Sequence, residues 1–436
     1  MSAIPTQGST YERIEITGHA GGTVDIRLGV SSFQYFEDLM SPVVTAVMGV
    51  VTSGDTINGQ GLYSGLPIVG GEKVRIHITS PIETERGESP GEFDMTMFVN
   101  KVTDYQLEKQ KETFVLHLVS KEGIVNLNKR IIKKYKQKRI DEVITDFLEV
   151  LEADFEEDQI EKSVNSINFI GNMRKPLSLA PMLASRAIPD IGKNSAGFFL
   201  WQTRKGMHFR SVEKMIFDAK ENKKETIKQE YIFDRGNEGL DNPEKSFTKI
   251  YSYNITNNKD VMAGQRTGKN STYRIYFNPH TFEFTRPEQS VFYPTEQEGL
   301  NKPPQEKVEP PEADPTTIPK PEMANRIISG IYSVGCLEEK VVGAAATAVN
   351  QDNLSDVGQS ISRYSSLFSQ VVTITVAMNI NLCAGDIIKL TLPKVSTESD
   401  VDPSQSGLYI IKEISHFTSA NRSYSALKVI RDSSGE

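Results

Sequence analysis

Three blocks near the start of the chain recur in the same order near its end, and this duplication constrains the fold more than any other feature. Gly71-Glu-Lys-Val-Arg-Ile-His-Ile78 lies over Gly385-Asp-Ile-Ile-Lys-Leu-Thr-Leu392, as glycine, acid, then apolar residues alternating with basic or polar ones. Met97-Phe-Val-Asn-Lys-Val-Thr-Asp-Tyr105 lies over Tyr409-Ile-Ile-Lys-Glu-Ile-Ser-His-Phe417, and Leu116-His-Leu-Val-Ser-Lys121 over Leu427-Lys-Val-Ile-Arg-Asp432. The offset is 314, then 312, then 311 residues. Any two strands rich in Val, Ile and Leu look alike, so it is the shared order and spacing that favour a repeat. Alternation with period two marks half-buried β-strands. One chain then carries two similar β-barrels, and a trimer of it presents six similar modules, a pseudo-sixfold ring made from threefold symmetry.

Between the copies the pattern changes. The first hundred residues alternate throughout, as in Val24, Ile26, Leu28 and Val30, with Gly-, Pro- and Ser-rich turns between strands. From Arg139 onward Ile140, Val143, Ile144, Phe147, Leu148 and Leu151 fall at helical spacing, with Asp141 and Glu142 in the first turn. The basic run Lys129 to Arg139 reads as a solvated helix face balanced by the acidic run Glu149 to Glu161; a nucleic-acid patch is the alternative. Thr203-Arg-Lys-Gly206 turns a hairpin, short helices flank it at Leu177 to Ile188 and Ser211 to Met215, and strands resume at Phe247 to Tyr253 and Tyr273 to Phe277. Thr295 to Pro321 holds seven prolines among Glu and Lys and reads as an extended spacer.

A chain of 436 residues exceeds one ordinary core. No apolar run is long enough to span a bilayer. The N-terminus lacks a secretory pattern, and Cys336 and Cys383 form neither a disulfide framework nor a metal-ligand spacing, so maturation in a reducing cytoplasm is expected. A net charge of -8 argues against phosphate-backbone binding as the main task.

Nothing in the sequence groups catalytic chemistry. The six histidines are scattered singly, and no pair has zinc-binding spacing. Gly65-Leu-Pro-Ile-Val-Gly70-Gly-Glu72 has P-loop glycine spacing but no Lys-Ser/Thr, and reads as a turn into a strand. No Gly-x-Ser-x-Gly elbow occurs. Glu37, Asp38 and Glu72 read as carboxylates in solvent. The expectation is therefore a non-enzymatic protein without cofactor or metal.

Phe33-Gln-Tyr-Phe-Glu-Asp-Leu39 with Gly65 to Lys73, Gly197-Phe-Phe-Leu-Trp-Gln-Thr-Arg-Lys-Gly-Met-His-Phe-Arg-Ser211, Ser362-Arg-Tyr-Ser-Ser-Leu-Phe368, Leu382-Cys-Ala-Gly-Asp386, Ser406 to Lys412 and Leu427 to Asp432 carry a resemblance. By their order and spacing, from about Ile14 to Gly435, the chain resembles the central baseplate hub proteins of T-even-type contractile-tailed bacteriophages. The resemblance implies an α+β, β-dominated fold with two tail-tube-type antiparallel barrels. These occupy residues 1–120 and 325–436. An α+β middle domain at 121–245, with hairpin 197–212, joining strands at 246–294 and a Pro-rich linker or insertion at 295–324 lie between them. It further implies a homotrimeric virion component in the tail baseplate, assembled in the host cytoplasm. Its expected partners are a central spike protein, the tail tube or its initiator, a tape measure protein and baseplate wedges, with DNA passing through the lumen without specific binding. The Pro-rich stretch departs from the family.

With Val74, Ile76 and Ile78 facing the core, Arg75 and His77 face outward, toward a lumen or a neighbouring module, and Lys389 and Thr391 take the equivalent places in the second copy. These four are the assembly or lumen candidates; ordinary solvated strand positions are the alternative. The competing functional readings are a spike-base protein of a bacterial contractile injection system, which usually continues into a further barrel and a β-helix where this chain stops at Glu436, and a tail-associated cell-wall hydrolase.

Overall fold

The structure, a computed structural model, describes residues 9–53, 57, 59–80, 91–191, 195–221, 226–233, 247–257, 261–268, 272–279, 282–285, 291–292, 326–331, 354–394 and 401–432. Alternation builds the first module from β1 (Thr10–Thr17), β2 (Thr23–Asp25), β3 (Val30–Asp38), β4 (Thr45–Ser53), β5 (Lys73–Thr79), β6 (Glu92–Glu108) and β7 (Lys111–Val119), with one helical turn, α1 (Leu62–Gly65), before β5. Their order in the sheet is β3-β4-β7-β6-β5-β1-β2. Inward residues such as Tyr35, Met48, Val74, Ile76 and Leu116 are wholly buried.

The insert begins with α2 (Lys121–Asn128), β8 (Lys134–Arg139), α3 (Ile140–Val150), β9 (Ser166–Ile170) and α4 (Pro176–Ala184). The hairpin β10 (Phe198–Thr203) and β11 (Gly206–Ser211) follows, then α5 (Val212–Glu221). α3 falls where the helical spacing places it. Ser163 caps it from outside, its hydroxyl accepting from the Ile140 and Asp141 N–H groups at 3.1 and 3.2 Å while donating to the Asp141 carboxylate at 2.8 Å. The basic run, however, is no helix face. Lys134–Arg139 is a strand paired with β9, with only Tyr135 fully inward, and Asp146 holds both Lys133 and Lys138. Asp146 of α3 thus neutralises part of the run, while Lys129 acts on Glu152 of the acidic run.

The remaining elements are β12 (Ile227–Ile232), β13 (Ile250–Asn257), α6 (Val261–Thr267), β14 (Thr272–Asn278), β15 (Glu283–Thr285), β16 (Val291–Phe292), β17 (Arg326–Ile331), α7 (Leu354–Leu367), β18 (Gln370–Ala377), β19 (Ile387–Thr391), β20 (Gly407–Ser419) and β21 (Arg422–Arg431). Two strands sit elsewhere than their sequence segments suggest. β12, within 121–245, adds in parallel to β19, while β17, at the start of 325–436, pairs in parallel with β14 in a separate small sheet. Parallel partners distant in sequence leave no local signal. The Pro-rich segment lies outside the described residues, as does Cys336.

The duplication recurs pair by pair. β4-β7-β6-β5 in the first module is matched by β18-β21-β20-β19 in the second. Val99↔Leu118, Lys101↔His117 and Val102↔Leu116 correspond to Ile411↔Val429, Glu413↔Lys428 and Ile414↔Leu427, so the β-bulge at Asn100 has its counterpart at Lys412. Gly71 and Gly385 both adopt positive φ, 90° and 89°, open to glycine. Gly71 N–H donates to the Val99 carbonyl at 2.7 Å, and Gly385 N–H to that of Ile411 at 2.8 Å. The acid that follows each glycine turns its carboxylate back onto the N–H three residues earlier: Glu72 onto Val69 at 2.7 Å, Asp386 onto Cys383 at 2.8 Å. The chain is thus a β-dominated α+β protein, its two modules joined into one sheet where β20 pairs with β3.

Candidate functional site

The four residues singled out from the sequence lie on the faces of β5 and β19 turned from the core. Arg75 is exposed and meets Asp94 of β6 at 3.3 Å; Lys389, in the equivalent register, meets Glu230 of β12 at 3.5 Å. His77 lies 3.7 Å from Glu92 and is half-buried. Thr391 accepts the Phe233 N–H on its backbone carbonyl at 3.0 Å. Each contacts its own neighbouring strand, and no contact joins the four to one another. Exposed pairs such as Arg75–Asp94 add little to stability.

The polar chemistry gathers instead at the seam, where β3, the β10–β11 hairpin and the turn before β19 meet. Glu37, 2% exposed, lies at its centre rather than in solvent, and Glu72, 1% exposed, is equally buried in its own turn. The Glu37 carboxyl accepts from the Ala384 N–H at 2.8 Å, the Arg204 N–H at 2.8 Å and the Tyr35 hydroxyl at 2.9 Å. One group therefore ties the first module, the insert and the second module. The Arg204 guanidinium donates to the Ile380 carbonyl at 3.0 Å, and the Trp201 indole N–H to the Ala384 carbonyl at 2.9 Å. Gln202 reaches the first module, its amide oxygen accepting the Val44 N–H and the Ser120 hydroxyl and its amide nitrogen donating to Glu122. Sequence reading passed over this cluster because its members come from three distant segments; the single Trp201 was its one visible signal.

Burial sets the electrostatics. It pushes the Glu37 carboxyl up to about 7, against the opposing pull of its donors and of the Arg204 guanidinium, and it raises the Cys383 thiol well above its ordinary value. His208, stacked on Trp201, and His416 are both driven down to about 4 by burial, with the Arg210 and Lys205 charges adding to it at His208 and Arg204 at His416, where the bond to the Leu382 carbonyl opposes. Among the described residues no group of three or more His, Cys, Asp or Glu side chains is placed to hold a metal ion.

Because the folded Glu37 carboxyl holds its proton more tightly than an unfolded one, it favours folding most below about pH 4.5, and that contribution is lost as pH rises to about 7. The change is at most about 3 kcal/mol. Urea unfolding at pH 5 and pH 8 is expected to show wild type losing more stability with rising pH than Glu37→Gln; parallel losses would place the titration elsewhere.

No protein-family model matches the sequence, and no curated protein matches it. Solved structures do. The chain is similar to a tail protein from Neisseria meningitidis, with a TM-score of 0.52 and 10% identity over 98% of this chain and 97% of that one. It is also similar to the 43 kDa tail protein of prophage MuSo2 from Shewanella oneidensis, with a TM-score of 0.51 and 10% identity over 96% of this chain and 98% of that one. At such identity the likeness is one of fold, and it runs the length of each chain.

Proposed function

We propose that this chain is a structural subunit of a phage-type tail, the central hub of its baseplate. The observation that carries the reading is the duplicated module with matched register and bulge, within a fold shared end to end with two proteins described as tail proteins. Three copies place six equivalent modules in a ring, so that a threefold spike joins a sixfold tube around a channel through which DNA leaves. The exposed faces that carry Arg75, His77, Lys389 and Thr391 line that channel or meet neighbouring modules. Ring surfaces and symmetry carry this function, and the chain catalyses no reaction. Native mass measurement of the purified protein, alone and with the spike protein encoded by the same phage, is expected to give three times the monomer mass and a complex with the spike. A monomer that ignores the spike at every concentration would sink the proposal.

A further inference from the structure

The joint between the two modules within one chain has a counterpart at each end that is unpaired among the described residues. β3 is paired along both edges, with β4 on one side and β20 on the other. Its equivalent β13 pairs with β18 as β3 pairs with β4: Phe33↔Met48 and Gln34↔Val47 correspond to Tyr253↔Ile374 and Asn254↔Thr373. Among the described residues, the other edge of β13 over Ser252–Thr256 takes no strand.

β20 shows the complementary half. It has β21 on one side, and on the other β19 followed by β3. Its equivalent β6 has β7 on one side and β5 on the other, but the pairing with β5 ends at Lys73↔Phe98, and among the described residues no strand pairs with the continuation of that edge from Lys101 to Glu108. Accessibility follows the pairing. The stretch 413–419 of β20 alternates buried residues, whereas Tyr105 and Leu107 on β6 are 44% and 67% exposed. Among the described residues, one molecule therefore carries two unpaired edges that are the equivalents of two edges already paired inside it.

We infer that β6 of one copy pairs antiparallel with β13 of the next, repeating between chains the β20–β3 joint made within each chain. The inference rests on the reading of the chain as a ring subunit and names the surface that closes the ring. Phe417↔Gln34, Thr418↔Phe33 and Ser419↔Ser32 set the register. Transferred, they place Gln106 opposite Asn254, Leu107 opposite Tyr253 and Glu108 opposite Ser252 of the neighbouring copy. Polar residues face polar ones and the exposed leucine gains an aromatic partner, as cross-strand pairing requires. Thr103 falls opposite Thr256, and the extra residue of β6, a bulge at Asp104 with φ 55°, lies between these two registers. A bulged edge rejects indiscriminate strand addition and selects a matched partner. The two edges differ, so the contact is head to tail and propagates until the rotation closes.

The test uses Gln106→Cys and Asn254→Cys, both at exposed positions, made separately in a Cys336→Ser background. Mixed and oxidised, the two proteins are expected to give a covalent dimer on a non-reducing gel. Gln106→Cys mixed with Thr256→Cys, two residues and about 7 Å further along the strand, is expected to give at least about tenfold less, since disulfides tolerate little excess separation. An oligomer by native mass that cross-links at neither position, or equally at both, overturns the edge inference while the ring reading stands. A monomer that never cross-links overturns both.

Discussion

Replacing Trp201 with alanine is expected to cost about 3–5 kcal/mol of folding stability, the range for large aromatics removed from a closed core. The side chain is 2% exposed and belongs to the core of the second module, although its strand, β10, comes from the insert. Its indole N–H holds the Ala384 carbonyl, and its ring lies so close over Gly385 that a Cβ added there would sit 2.6 Å from the indole. Alanine leaves a cavity, an unpaired carbonyl and a loosened turn at the same point where Glu37 gathers its donors. Urea unfolding followed by circular dichroism measures the loss, and Trp201→Phe, which keeps most of the packing but not the N–H, is expected to fall between. A loss under about 1 kcal/mol for the alanine variant would mean that the hairpin does not lock the seam.

Arg363→Ala is expected to cost a similar amount, about 3–5 kcal/mol, through charge rather than volume. Arg363 on α7 is 2% exposed, with its guanidinium 2.7 Å from Glu213 of α5 and 2.9 Å from Asp432 just beyond β21. Alanine strands two buried carboxylates together. Burial already raises the Glu213 carboxyl and Arg363 is the leading influence that lowers it, so the variant's carboxyl binds its proton more tightly still. A folded-state value above the unfolded one favours folding at low pH and ceases to do so as pH rises past it. The deficit of Arg363→Ala relative to wild type is therefore expected to shrink from pH 8 to pH 5; an equal deficit at both would remove charge from the explanation.

The duplication was legible because its parts are local. Glycine, acid and alternating strand lie within eight residues, and the turn they build uses only neighbours, Glu72 with Val69 and Asp386 with Cys383. The helix at Ile140 and the hairpin turn at Arg204 were legible for the same reason. The seam was not, since Glu37 owes its burial to N–H groups at Arg204 and Ala384, which no window of sequence brings near it. A reading by residue type puts such a carboxylate in water, and the same holds for Glu72. The basic run deceived differently: Lys134, Lys136 and Lys138 alternate as in a strand, but Lys129, Arg130, Lys133 and Arg139 around them blur that period, and only Tyr135 turns fully inward. Lys389 and Arg75 were matched correctly by repeat, but the partners that neutralise them, on β12 and β6, come from different kinds of neighbour.

The β20–β3 joint also sets a clock on synthesis. The Gln34–Ser415 contact across it spans 381 residues, while every strand of the first module has emerged by Val119. At about 5–20 residues per second, the roughly 300 residues between Val119 and the part of β20 that pairs with β3 keep the free edge of β3 waiting on the order of fifteen to sixty seconds for its partner. Through that interval a folded first module on the ribosome displays an open strand edge, in a cell making many identical chains side by side. The wrong partner would be the β20 of a neighbouring nascent chain, an exchange that satisfies the same hydrogen bonds and yields a swapped dimer. Slower elongation beyond the first module lengthens that exposure, and the yield of correctly closed molecules is then decided during translation.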